Sequence, residues 1–85
     1  MVNDKRMRWI GLVIHRDELN SFDFLTDVIM QSLGYEITQA QTCAQIIQNK
    51  GSYVVKIYKG SEMAKARQYR QLFVDEGIPA ELNPF

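Results

Sequence analysis

Nucleophilic catalysis needs a base beside a hydroxyl or thiol, and this chain of 85 residues holds one histidine, His15, and one cysteine, Cys43. A single imidazole and a single thiol exclude an intrachain disulfide, a Cys/His zinc cluster and a histidine-rich metal site. His15 falls just before a polar turn, and Cys43 lies on the inward stripe of a helix, where a small buried hydrophobe is the ordinary role. The spacing leaves a pairing of Cys43 or Ser21 with His15 and Asp17 open without favouring it. The nearby carboxylates Asp17, Glu18 and Asp23 lack a glycine-rich phosphate loop or metal-ligand cluster around them, so they read as turn and capping residues. Neither a metal nor a cofactor is expected.

Ten Lys plus Arg against ten Asp plus Glu give zero net charge, which removes the bulk attraction that nucleic-acid binders rely on. The charges are nevertheless segregated: residues 17–36 carry a net −5 and residues 50–70 a net +5. Two solvated surfaces or two contact faces fit that pattern equally well. The basic band and Tyr53, Tyr58 and Tyr69 bring no RNA-binding motif with them, so no nucleic-acid partner is expected. The apolar run Trp9–Ile14 is far short of the roughly 20 residues that cross a bilayer. No membrane partner is therefore expected, and the lone thiol points to a reducing compartment, the cytoplasm. From physics alone the reading stops at a small interaction module.

The elements that position these groups follow from periodicity. Residues 8–15 are apolar on both alternating faces, the pattern of a strand covered on both sides or central in a small sheet. Asn20 followed by Asp23 reads as a helix start, and Phe22, Leu25, Val28, Ile29 and Leu33 recur at helical spacing up to Gly34. Thr38 with Gln41 reads as a capping box for a second helix that buries Ala40, Cys43, Ala44 and Ile47 and stops at Gly51. Residues 52–58 alternate Tyr53, Val55 and Ile57 against Val54, Lys56 and Tyr58, as a strand does. A third helix starts near Ser61, buries Met63, Ala66, Tyr69 and Phe73, and closes at Gly77. In the final strand, 78–82, Pro79 argues for an edge position. The order is β-α-α-β-α-β: an α+β sandwich of three helices packed on a three-stranded sheet. Residues 1–8 read as a short flexible segment before one domain over 9–85.

The stretch HRDELNSFDFLTDVIMQSLGYEITQAQTCAQIIQNKG resembles the Clp protease adaptor ClpS family, with its strand, Asn-Asp-Asp/Glu turn, capped helix, and second helix ending in His-x-x-Gly. YVVKIY and DEGIPAEL follow the same family more loosely, with about one residue missing around 59–61. The resemblance covers roughly residues 9–82 and implies the fold already read from periodicity. It also implies a non-enzymatic, monomeric adaptor. Such an adaptor docks on the N-terminal domain of a ClpA- or ClpC-type AAA+ unfoldase and presents substrates that begin with Leu, Phe, Tyr or Trp. Its second implication is a ClpS-like domain that has lost this recognition and only modulates the unfoldase or binds another ligand.

Carried over by position, the resemblance places N-terminal ammonium binding on Arg16, Asp17, Glu18, Asn20 and Gln48. It places the hydrophobic side-chain pocket on Phe22, Leu25, Ala44, Ile47 and Ala80, and unfoldase docking near Glu62 and Lys65. Arg16 stands where the family has asparagine and Gln48 where it has histidine; of the ammonium set only Asp17 matches. A guanidinium about 5 Å from a bound ammonium repels it by ~3 kcal/mol at an effective dielectric near 20. Gln48 brings an amide oxygen that replaces a neutral histidine acceptor. The family's flexible N-terminal extension would correspond here to only the residues before the first strand, which leaves delivery open.

Overall fold

The computed structural model describes residues 8–85; residues 1–7, most of the segment read as flexible, lie outside the described residues. Strand β1 (Trp9–His15) leads into helix α1 (Phe22–Leu33) and helix α2 (Ile37–Lys50). Strand β2 (Ser52–Lys59), a 3-10 turn over Gly60–Glu62, helix α3 (Met63–Asp75) and strand β3 (Ala80–Pro84) complete the chain. All pairings are antiparallel in the order β2-β1-β3, so the most apolar strand is central and β3 is an edge.

The core lies between the helices and one sheet face. Ile10, Leu12 and Ile14 alternate toward it and are fully buried, packing with Leu25, Val28 and Ile29 of α1, Ala40, Ala44 and Ile47 of α2, and Ala66 and Phe73 of α3. Removing each of the larger of these side chains from water contributes roughly 1.5–3 kcal/mol. On the opposite face Gly11 makes room for the C-terminal residue: a Cβ there would lie 3.1 Å from both the Phe85 ring and Val54.

Simple alternation fails in β2. Leu12 pairs with Lys56 and Val13 with Val54, so Val55 is the extra residue of a β-bulge. A bulge moves the following side chains to the other face. Val55 and Tyr58 therefore both enter the core, although they lie three apart and the two-residue period assigns them to opposite faces.

Helix boundaries also differ from the sequence reading. The N-cap of α1 is Ser21, whose Oγ accepts the Phe24 N–H at 3.1 Å; Asn20 is spent elsewhere. Thr38 does not cap α2, which starts at Ile37 after Glu36 without a side-chain cap; the Thr38 carbonyl instead accepts the Thr42 hydroxyl at 2.9 Å. The third helix is preceded by the 3-10 turn, in which Glu62 Oε1 accepts the Lys59 N–H at 2.9 Å. Gly34 and Gly51 end α1 and α2 as expected, with φ of 72° and 95° and their N–H groups on the Met30 and Ile47 carbonyls. That left-handed backbone suits glycine, which has no Cβ to clash. Strand β3 begins at Ala80, so Pro79 precedes it, and Pro84 is the proline within the edge strand.

Candidate functional site

The turn from β1 into α1 runs beside the C-terminal end of α2, held there by the backbone bond from the Arg16 N–H to the Gly51 carbonyl at 2.8 Å. This joins the turn residues to Gln48 across 32 positions of sequence. Arg16 Nη1 donates to the Gln48 carbonyl at 2.9 Å. A cation is well placed there, because the last carbonyls of a helix carry its negative dipole end. Gln48 Nε2 reaches back to the Asn20 carbonyl at 3.4 Å, and Asn20 Nδ2 donates to the Gly77 carbonyl at 3.2 Å. Arg16, Asn20 and Gln48 thus form one hydrogen-bonded rim that also ties down the segment entering β3.

Asp17 lies next to Arg16 and folds its own turn: Oδ1 accepts the Leu19 N–H at 3.0 Å, while its carbonyl accepts the Asn20 N–H. This is an Asx-type turn, the bond for which a short carboxylate is suited. Asp17 and Asn20 are half-buried, Glu18 is exposed, and Leu19 projects almost completely into solvent. The acidic rim residues therefore remain accessible from water.

Leu25, Ala44 and Ile47 retain only 2%, 0% and 0% of their surface, so they form solid core, while Phe22 and Ala80 are partly buried against it. Phe22 has a second neighbourhood that the sequence did not indicate. With Thr38, Gln41, Thr42, Gln45 and Ile46 it lines a shallow groove along the outer side of α2. Those residues alternate around one exposed helical stripe and carry no motif, which leaves exposure as the signal that finds them. Glu62 is engaged with the Lys59 backbone, and Lys65 is exposed on the first turn of α3.

The groups with catalytic potential are apart. His15 Nε2 lies 2.6 Å from Glu81 Oε1, across the β1–β3 pair on the sheet face away from the core. Cys43 is buried, and burial raises its thiol above the ordinary range, which keeps it protonated and unreactive. The nucleophile–base arrangement that spacing left open is not assembled. Among the described residues no cluster of three His, Cys, Asp or Glu side chains is placed to hold a metal ion, and no helix is long and apolar enough to cross a membrane.

Residues 5–76 match the family described as ATP-dependent Clp protease adaptor protein ClpS. The chain belongs to that family. Among solved structures it is similar to Agrobacterium tumefaciens ClpS2 bound to L-phenylalaninamide, with a TM-score of 0.75, 18% identity, and coverage of 94% of this chain and 100% of that one. At that identity the likeness establishes the β-α-α-β-α-β fold. No curated protein gives a significant match.

Proposed function

We propose that this protein is a non-enzymatic adaptor of ATP-dependent Clp proteolysis that seats a large apolar N-terminal residue of its substrate, Leu, Phe, Tyr or Trp. It would hold that substrate while docked on the N-terminal domain of a ClpA- or ClpC-type AAA+ unfoldase. Family membership over residues 5–76 is the observation that carries the reading. The ligand of the structural neighbour adds chemical detail. L-phenylalaninamide is a free α-ammonium, a benzyl side chain and a neutral amide, and so stands in for an N-terminal phenylalanine and its following peptide bond.

In this reading Asp17 supplies the charge for the ammonium, with Gln48 and Asn20 as neutral acceptors and Glu18 as an outer acid. Charge-assisted hydrogen bonds of this kind are about twice as strong as neutral ones. Phe22 and Ala80, partly exposed and packed against the core that holds Leu25, Ala44 and Ile47, form the apolar seat. Burying one large side chain there contributes roughly 2–3 kcal/mol. Glu62 and Lys65, on the 3-10 turn and the first turn of α3, are the proposed docking contacts for the unfoldase, in the reducing cytoplasm where a lone buried thiol is at home.

One observation favours a second reading. The Arg16 guanidinium reaches the end of α2, beside Gln48, and so places a fixed cation on the rim where an ammonium would bind. In that reading the domain still engages the unfoldase but no longer takes a free N-terminus.

Fluorescence anisotropy with labelled peptides separates the two. Peptides that begin with Leu or Phe are expected to bind at least tenfold more tightly than their N-acetylated twins, the ratio that about 1.4 kcal/mol of ammonium recognition produces. Equal affinities would contradict the adaptor reading.

A further inference from the structure

Arg16 and Asp17 are consecutive, oppositely charged and not paired with each other; the described residues instead place His15 Nε2 on Glu81 Oε1. They are fastened in different ways. Arg16 is held by a bond to a main-chain carbonyl of α2, whereas Asp17 is held by a main-chain N–H of its own turn. Both keep binding capacity. A guanidinium has five N–H donors and a carboxylate about four lone-pair sites, and the bonds named here use one of each.

The rim therefore offers a cation and an anion side by side, with α-carbons about 3.8 Å apart as for any consecutive residues. A ligand that brings only an ammonium to Asp17 meets repulsion from Arg16. One that brings an ammonium together with a carboxylate satisfies both residues and turns that repulsion into attraction. The guanidinium suits the second role because its planar fork matches a carboxylate. Its bond to Gln48 also holds it in place before the ligand arrives, which lowers the cost of ordering it.

We propose that Arg16 sets the specificity of this site by binding a carboxylate carried next to the ammonium and the apolar side chain. Two ligands present that chemistry. A free hydrophobic α-amino acid has both charges on one carbon, and a substrate N-terminus with Asp or Glu as its second residue has them one residue apart. The proposal rests on the adaptor reading: the second ligand narrows its substrate class, and the first would compete with substrates for the same site.

The test is calorimetric titration of the full chain in two arms. The first compares L-phenylalanine with L-phenylalaninamide, and the second compares a Phe-Asp peptide with a Phe-Ala peptide. In at least one arm the carboxylate-bearing ligand is expected to bind about tenfold more tightly, the effect of one added charge-assisted contact. A gain in the first arm identifies the free amino acid as ligand, and a gain in the second identifies the second residue of a substrate. The advantage shrinks as ionic strength rises, because the contact is exposed to screening. Arg16→Asn abolishes it, and Arg16→Lys keeps only part, since the charge remains but the fork is gone. Unchanged thermal unfolding of both variants shows that the fold is intact.

If L-phenylalaninamide and the Phe-Ala peptide bind but no carboxylate improves on them, the inference is overturned and the adaptor reading stands. If none of the four ligands binds, both fall. A carboxylate advantage that survives in Arg16→Asn overturns the assignment to Arg16.

Discussion

The floor and the rim of the candidate site answer to different constraints. Leu25, Ala44 and Ile47 are part of the packed core, so whatever else they do they are held by the cost of a cavity. Arg16, Asp17, Glu18 and Asn20 lie at or near the surface, where a substitution away from special features changes stability little. A floor residue can therefore keep its family character for reasons of folding alone. A rim residue is free of that constraint, and so carries information about the ligand.

The largest break in this comparison is expected from Ile47→Ala. Truncating a fully buried isoleucine between α2 and the sheet should lower unfolding free energy by about 3 kcal/mol in denaturant melts. A loss below about 1 kcal/mol would mean that the floor is open rather than core. Asp17→Asn probes the rim. The amide oxygen still accepts the Leu19 N–H, so stability should stay within about 0.5 kcal/mol, while affinity for a Phe-initiated peptide falls about tenfold through loss of the charge. Parallel losses of stability and affinity would erase the distinction between floor and rim. Ser21→Ala sharpens it. Removing the α1 cap costs about 1 kcal/mol in thermal or chemical unfolding, with peptide affinity unchanged.

The smallest effect is alkaline. Burial raises the Cys43 thiol, the Tyr35 phenol and the Tyr58 phenol above their ordinary values of 9.0 and 10.0. A raised acid contributes its full stability below the unfolded value and loses it as pH climbs through the folded one. The contribution of these three groups should therefore decline above about pH 9, and native Cys43 should react with a thiol reagent far more slowly than the unfolded chain does. Rapid labelling at neutral pH would place Cys43 outside the core.

Much of the architecture was legible because it rests on local periodicity. The helical repeats from Phe22 to Leu33 and from Ala40 to Ile47, the glycine stops at 34 and 51, and the central position of the most apolar strand all follow from burial patterns that a sequence displays. The β2 bulge did not follow, because register is set by pairing with a distant strand, and only that pairing reveals Val55 as the extra residue. The cap of α1 differs by one residue, Ser21 rather than Asn20, because adjacent polar side chains compete and the winner depends on tertiary partners; Asn20 is drawn to the Gly77 carbonyl. At the site, the members were reached through resemblance, whereas the contacts of Arg16 with Gln48 and of His15 with Glu81 span 32 and 66 positions. Periodicity carries no information at that range.

A backbone-amide NMR titration with a Leu-initiated peptide tests the proposal that rim and floor act together on one N-terminal residue. Saturable shifts confined to Arg16–Phe22, to Ala44–Gln48 and to Ala80 are expected, and none with the acetylated peptide. Shifts concentrated instead along Thr38, Gln41 and Gln45, the outer groove of α2, or identical responses to both peptides, would contradict it.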